Sequence, residues 1–134
     1  MSTLALDSNI ISYLLKGDEN IADRIAKETG DGHDIVIPPI VYYEIKRGLL
    51  ASNASKKMKI FEELCAETMV GEIDRAVLDF AATIHADLRK AGTPLDDADI
   101  LIAAYCVRNI YILITHNTKH FELIDGLKHT DWAK

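Results

Sequence analysis

Cysteine, long apolar runs and positive charge are all scarce in this sequence, and each shortage excludes a class of protein. The two cysteines, Cys65 and Cys106, lie far apart and form no CxxC pair. We expect them to be small buried apolar residues in a reducing compartment, not a disulfide framework. No apolar run approaches the ~18 residues of a membrane-spanning helix, and the start, MSTLALDSN, lacks the basic and long apolar regions of a secretory signal. We therefore predict a cytoplasmic protein with no membrane segment.

The shortage of positive charge limits the possible contacts with nucleic acid. Lys and Arg number 15 against 21 Asp and Glu, which leaves a net charge of −6. Strong non-specific binding to nucleic acid needs many basic side chains on phosphates, so it is not expected here. One local cluster is an exception: it contains Lys46, Arg47, Lys56, Lys57 and Lys59. Such a cluster is most often a solvated helical face, and a contact with RNA or with a partner is the alternative.

The remaining composition is that of an ordinary globular domain. Hydrophobic residues make up 49% and charged residues 27% of the 134 positions, which provides enough apolar material for a packed core. Four short apolar runs, bounded by turn or cap residues, have the character of strands buried on both faces of a parallel sheet. The predicted strands are Thr3–Leu6, Asp34–Ile37, Thr68–Val70 and Tyr111–Ile114.

Helical patterns separate these strands. The clearest is Asp74–Ala91, where apolar residues recur at steps of three and four, Asp74 is a natural N-cap, and Gly92 with Pro94 ends the helix. The other helices are predicted over Ser8–Leu15, Ile21–Thr29, Pro39–Leu50, Ser55–Leu64 and from Asp96 or Asp97 to Arg108. Strands that alternate with helices predict one α/β domain over residues 1–134, with a parallel sheet flanked by helices.

Polar residues recur where the predicted strands end. Asp7 follows the first strand, and Glu44 lies in the first turns of the helix after DIVIPP. Asp99 lies in the first turn of the helix before YILI, and Asn117 follows that strand. Sites in open α/β sheets form outside the carboxyl ends of the strands, so we expect these four side chains to meet at one edge of the sheet.

Each acid also has a purely structural explanation. Asp7 could cap the helix that starts at Ser8, and Glu44 could be an exposed acid paired with a neighbouring base. Asp96 could be an N-cap with Asp99 at the third helical position, a weak form of the capping box. Acids in a first helical turn are also favoured by about 0.3–1 kcal/mol. Taken singly, each residue favours the structural explanation, and only the convergence of the set favours a site.

Convergence of Asp7, Glu44 and Asp99 would have a strong electrostatic consequence. Two carboxylates about 5 Å apart repel by roughly 3 kcal/mol at an effective dielectric constant near 20. Three such pairs give on the order of 10 kcal/mol, which is comparable with the about 5–15 kcal/mol stability of a domain. The cluster must therefore protonate or hold a cation, and oxygen ligands favour Mg²⁺ or Mn²⁺.

At these segments the sequence resembles the PIN-domain ribonucleases, in particular the VapC-type toxins of bacterial toxin–antitoxin pairs. The matching pieces are LALDSNIISYLL around Asp7, VYYEIKRG around Glu44, GTPLDDADILIAAYC around Asp99 and ILITHNTKHFELIDGLKHTDW at the end. The resemblance runs from about Leu4 to Trp132. It implies a Rossmann-like parallel sheet of four to five strands and metal-dependent cleavage of RNA, with tRNA among the possible targets.

The resemblance also implies roles for individual residues. Asp7 and Asp99 match direct ligands of Mg²⁺ or Mn²⁺, and Glu44 matches a third acid that holds the ion or helps to orient the attacking water. Many members carry a fourth acid where this chain has Asn117, whose neutral carbonyl makes a second strong metal site less favourable. Ser8 and Asn9 match a small polar pair beside the first acid that bonds either to its carboxylate or to substrate, and a substrate contact is also expected from Thr115.

The resemblance further implies a homodimer and a VapB-like antitoxin whose C-terminal arm covers the acidic groove. The basic stretch from Lys46 to Lys59, and the apolar residues near Tyr42, Tyr43, Leu49 and Leu50, are the expected places for RNA or for that partner.

Two other functions stay open at this point. Asn117 favours a catalytically weak or inactive PIN-like module that only binds protein or RNA. A phosphatase of the haloacid-dehalogenase type would use Asp7 as a nucleophile, but it would need an acid where this chain has Asn9. Zinc binding by His116 and His120, four residues apart, is not favoured, because their segment follows a strand and provides no companion ligand at a fixed spacing.

Overall fold

Five short strands form the centre of the protein, which is described by a computed structural model over residues 2–133. The strands are β1 (Thr3–Leu6), β2 (Asp34–Ile37), β3 (Met69–Val70), β4 (Ile112–Ile114) and β5 (His129–Thr130). All pairings are parallel, and the strand order is β3-β2-β1-β4-β5. The predicted α/β fold with a parallel sheet of four to five strands is confirmed.

Helices flank the sheet and match the predicted segments closely. They are α1 (Ser8–Leu15), α2 (Glu19–Gly30), α3 (Pro39–Ala51), α4 (Ser55–Glu67), α5 (Arg75–Lys90), α6 (Asp97–Asn109) and α7 (Thr118–Phe121). The short α7, like β5, was not predicted as an element, because four polar and aromatic residues provide too little periodicity to indicate a helix. Among residues 2–133, none of the helices has the length and apolarity needed to cross a membrane.

The position of β1 decides where a site can form. β1 pairs with β2 on one side and with β4 on the other. The strands up to β3 are therefore added on one side of β1, and those from β4 onward are added on the other side. Leu6 is in register with Ile114, and the next residues, Asp7 and Thr115, therefore leave the sheet side by side. Such a switch point is where open α/β sheets form their binding crevices.

Side-chain caps start some of the helices but not the one that carries Asp99. Asp74 caps α5, because its carboxylate accepts a hydrogen bond from the Val77 N–H at 3.0 Å, as predicted. Pro39 begins α3, where its missing N–H has no cost. Asp96 occupies the N-cap position of α6, but in the described part of the chain its side chain accepts no capping hydrogen bond. The capping-box explanation for Asp96 and Asp99 is therefore wrong.

The two cysteines differ in burial. Cys106 is fully buried, as expected, and burial raises the pKa of its thiol well above the usual range. Cys65 is only partly buried, so the prediction of a buried residue is wrong for this position. Both thiols are free within residues 2–133, which agrees with the expected lack of a disulfide.

Candidate functional site

Asp7 lies at the centre of the candidate site and is almost fully buried, with 3% of its surface exposed. Its backbone N–H donates to the Ile114 carbonyl at 2.9 Å, which continues the β1–β4 ladder by one residue. One carboxylate oxygen accepts from the Ser8 N–H at 2.8 Å, and the other accepts from the Thr115 hydroxyl at 2.7 Å. Asp7 therefore caps α1, and its carboxylate is held in place from both sides.

Burial makes the ionised form of Asp7 unfavourable. Desolvation raises the pKa of its carboxyl above the usual range, and the nearby charge of Asp99 raises it further. The hydrogen bonds from Thr115 and Ser8 lower this pKa in part, because they stabilise the carboxylate. The net shift is upward, so an unpaired negative charge at this position needs a compensating partner.

Two more carboxylates come to the same region from other elements. Glu44, half-buried on α3, has a raised pKa because of its burial and the charges of Asp7 and Asp99, and Arg47 counteracts this only in part. Asp99, in the first turn of α6, has a raised pKa because of burial, which the contact with His120 only partly offsets. Asp99 raises the pKa of Asp7, and both of these acids raise the pKa of Glu44, so the three belong to one electrostatic environment. Their convergence on one ion and their chemical roles stay predictions.

His120 is the nearest base to Asp99. Its Nδ1 lies 3.3 Å from Asp99 Oδ2, and half of its side-chain surface is exposed. The short helix α7 brings His120 to this position, because α7 packs against α6. The sequence raises His120 as half of an unfavoured zinc pair with His116, and it does not indicate the contact with Asp99.

His116 contacts a different acid. Its Nδ1 lies 3.0 Å from Asp131 Oδ2, and the Asp131 side chain is only 6% exposed. The His116 ring also packs edge-on against Tyr13, with the ring centroids 6.0 Å apart. The two histidines thus point to separate acids and do not form a zinc pair. No local pattern in the sequence indicates the pairing of His116 with Asp131.

The loop after β4 is tied to Asp7 through Thr115. The backbone N–H of Asn117 donates to the Thr115 hydroxyl at 2.9 Å, and that hydroxyl donates to Asp7. Thr115 is fully buried, so its hydroxyl orients Asp7 and does not face solvent. Asn9 also holds this loop, because its side-chain oxygen accepts from the His116 N–H at 3.2 Å. The Asn117 side chain is exposed beside these contacts.

The donor set is suited to a hard divalent cation. Burial and mutual repulsion make Asp7, Glu44 and Asp99 unfavourable as free anions, and a cation would relieve both effects. Within residues 2–133, no group of three or more His, Cys, Asp or Glu side chains is close enough to hold a metal ion by itself. Mg²⁺ typically takes one or two carboxylates and completes its shell with water and substrate oxygens, so the arrangement fits this ion.

Comparison with known proteins points to one family. Residues 4–127 match the PIN domain. The chain is 29% identical over 130 residues to "Ribonuclease VapC1" of Haemophilus influenzae strain R2866, which covers 96% of this chain and 97% of that protein. It is 25% identical over 135 residues to the "tRNA(fMet)-specific endonuclease VapC" of Shigella flexneri, with 99% and 100% covered.

Among solved structures, the chain is similar to VapBC-1 from nontypeable Haemophilus influenzae, with a TM-score of 0.86 and 30% sequence identity. The similarity covers 98% of this chain and 99% of that chain. Sequence and fold therefore agree over nearly the whole length of the protein.

Proposed function

Because the chain belongs to the PIN-domain family, we propose that it is a metal-dependent endoribonuclease, a VapC-type toxin that hydrolyses RNA phosphodiester bonds. One observation carries the proposal: Asp7 follows β1 at the switch point of the sheet, buried and held at both oxygens, and the charges of Asp7 and Asp99 raise the pKa of Glu44 on α3. The relatives from Haemophilus and Shigella, named as a ribonuclease and a tRNA endonuclease, support the same reaction. We propose tRNA as the first RNA substrate to test.

The residues of the site have separable tasks in this proposal. Asp7 and Asp99 would hold Mg²⁺ or Mn²⁺, with Glu44 as a third acid that binds the ion or orients the attacking water. When bound, the ion supplies Lewis acidity toward the phosphodiester. Thr115 and Ser8 keep the Asp7 carboxylate in one orientation.

Two further residues of the predicted site, Asn9 and Asn117, lie near these acids. Asn117 and Asn9 belong to the segments that border the Asp7 carboxylate, and we propose that both face the substrate. An amide at Asn117 adds a hydrogen-bonding group without a fourth negative charge. That choice favours one strongly bound ion over two.

The family and the exposed apolar surface indicate two kinds of protein partner. We propose that a VapB-like antitoxin inhibits the protein in the cytoplasm, which is supported by the similarity to the VapBC-1 structure. We also propose a homodimer, because large apolar side chains remain exposed, with examples on α3, β3 and α5. These are Tyr43 and Leu50 on α3, Met69 and Val70 on β3, and Leu78 on α5.

The proposal is tested by RNA cleavage with partner-free protein. Labelled tRNA and total cellular RNA are incubated with Mg²⁺ or Mn²⁺, with EDTA, and with the Asp7→Asn variant. We expect cleavage that requires both the metal and Asp7, while the circular dichroism spectrum of Asp7→Asn matches that of the wild type. Sequencing of the cut ends then identifies the target.

Two results would contradict the proposal. Cleavage by Asp7→Asn at the wild-type rate would show that the metal site is wrongly assigned. No cleavage by a folded, metal-loaded wild type across total RNA would instead indicate a PIN-like binding module, with Asn117 as the first residue to change.

A further inference from the structure

A groove leads away from the candidate site between α1, α3 and α4. The lining of this groove includes Glu44 and, further along, Ser12, Lys16, Gly48 and Lys57. Its volume is about 200 Å³, which is below the ~300–1,000 Å³ of pockets that enclose a small molecule. Because Glu44 belongs to both, the groove and the acidic site form one continuous surface.

The helical spacing of the lining residues gives the groove its direction. Glu44 and Gly48 are four residues apart on α3, and Ser12 and Lys16 are four apart along α1 and its C-cap, so each pair lies on one helix face. α1 starts next to Asp7, and Lys16 follows about 12 Å further along the helix axis. Lys16 therefore lies at a distance from Asp7, whereas Glu44 lines the groove together with Lys16 and Lys57.

In the described part of the chain, the two lysines of the groove are among the basic residues whose charges are not paired with an acid. Within residues 2–133, neither Lys16 nor Lys57 has an acid within ion-pair distance. In the same basic stretch, Lys46 lies 3.6 Å from Glu62 and the Arg47 guanidinium lies 5.2 Å from the centre of the Tyr43 ring. Of the five clustered bases in the sequence, only Lys57 lines the groove, and it does so together with Lys16 from outside the cluster.

Gly48 is the second observation. It lies inside α3, where glycine is a poor helix former. Its backbone φ is not in the left-handed region, and a Cβ at this position would have no described atom within 4 Å. Neither local conformation nor packing inside this chain requires a glycine here, whereas close approach of a ligand to the helix would.

We propose that this groove binds the sugar–phosphate backbone of the RNA next to the bond that is cut, with Lys16 and Lys57 on phosphates and Gly48 leaving room for the strand. The proposal rests on the ribonuclease function and extends it to named substrate-binding residues. It explains how an acidic protein of net charge −6 binds a polyanion. The acids bind the metal cation, and the lysines bind the phosphates on either side of the cut bond.

RNA fits the groove better than an acidic protein segment does. Four side chains of its lining can form hydrogen bonds, namely Ser12, Lys16, Glu44 and Lys57, and the two lysines are the groups suited to an anion. Phosphate groups at regular spacing need only point charges and room for the backbone, which Lys16, Lys57 and Gly48 provide.

The first test changes the charge of the groove. The variant Lys16→Gln/Lys57→Gln is compared with Lys27→Gln/Lys128→Gln, which has the same net charge but lies on segments that lead into β2 and β5. Binding of fluorescein-labelled tRNA is measured by anisotropy at several salt concentrations, and kcat and KM are measured for cleavage of the same tRNA. Loss of two phosphate contacts is expected to reduce the salt slope by about 1.4 and to weaken binding about 25-fold at 0.1 M salt.

The cleavage kinetics separate binding from chemistry. We expect a higher KM and an unchanged kcat in the groove variant, because contacts to flanking phosphates are the same in the ground state and the transition state. Equal losses in the groove variant and the control would overturn the proposal, as would an unchanged salt slope. Binding of a fluorescent polyglutamate peptide that requires the two lysines, with tRNA binding unchanged, would also overturn it and assign the groove to a protein.

The binding assay keeps the two proposals distinguishable. If the wild type does not cleave RNA, the ribonuclease function fails, and the tRNA salt slopes of the variants still decide whether the groove binds RNA. If the wild type cleaves and the slopes do not differ, only the groove proposal fails.

The second test fills the groove without changing charge. Gly48→Ala and Gly48→Leu are compared with Gly30→Ala at the end of α2, where a Cβ also has open space. We expect both Gly48 variants to have a higher Tm, because alanine and leucine favour a helix, and to bind tRNA progressively more weakly as the side chain grows. Unchanged tRNA binding in Gly48→Leu would contradict the proposal.

Discussion

The carboxylates near the amino end of β2 and those at the carboxyl end of β1 differ in their partners. Glu28 lies on α2, which leads into β2, and its two oxygens are 3.0 Å from Arg24 Nε and 3.6 Å from His33 Nε2. Asp7 is more deeply buried than Glu28, yet its contacts are neutral groups, a hydroxyl and a backbone N–H.

This difference indicates what the proposed cation site costs in stability while no cation is bound. At the amino end an acid is satisfied by bases of this chain, as in an ordinary structural ion pair. At the carboxyl end burial raises the pKa values of three acids more than their hydrogen bonds and nearby bases lower them, and for Asp7 no base takes part. Such an arrangement is disfavoured unless something positive from outside the chain occupies it, which is how functional sites often differ from structural ones.

The largest contrast is expected in RNA cleavage. Asp99→Asn should reduce kcat/KM about 10³-fold or more, because loss of a metal ligand removes several kcal/mol of charge stabilisation and each ~1.4 kcal/mol is tenfold. Glu28→Gln, which removes an acid at the other end of the sheet, should cleave at nearly the wild-type rate. Equal activities of the two variants would remove the distinction between the two regions.

The next contrast is expected in metal-linked stability. Mg²⁺ at 100 times its dissociation constant should stabilise the wild type by about 2.7 kcal/mol, measured as a rise in Tm that EDTA reverses. Asp99→Asn should lose most of this rise, and Glu28→Gln should keep it. A Mg²⁺ effect of the same size in both variants would show that the ion binds elsewhere.

A smaller effect tests how Asp7 is held. Thr115→Val should cost about 1–3 kcal/mol in the free energy of unfolding, because it leaves a buried carboxylate oxygen without its 2.7 Å hydrogen bond. Thr115→Ser keeps the hydroxyl and serves as the control. Urea denaturation measures both variants, and a Thr115→Val protein as stable as Thr115→Ser would show that the hydrogen bond contributes little.

The smallest effect is expected at the amino end. Glu28→Gln should cost only about 0.2–1 kcal/mol in the free energy of unfolding, because 43% of the Arg24 side chain is exposed and water screens the pair. Measurement in 0.05 M and 1 M NaCl should show the difference from the wild type shrink with salt. A cost that is independent of salt would indicate that Glu28 is held by packing and not by charge.

Local patterns explain why most elements were predictable. The short apolar runs of β1, β2 and β4 and the apolar periodicity of α5 are each contained in a few neighbouring residues. β5 is only two residues long, His129–Thr130, and carries no such pattern, so its place beside β4 depends on the sheet and not on its own residues. Asp96 shows the opposite kind of error. Its residue type and position favour a helix N-cap, but its side chain forms no capping hydrogen bond.

The sequence by itself determined which chemical groups are available: an acid after β1, acids in α3 and α6, and enough regular periodicity for an α/β fold. Only the tertiary structure decided which of them meet. The strand order places β4 beside β1, and the register sets Thr115 against Asp7. The pairing of His116 with Asp131 and the groove of Lys16, Lys57 and Gly48 join residues from separate elements. These contacts depend on how the helices and strands pack, which no local stretch of sequence encodes.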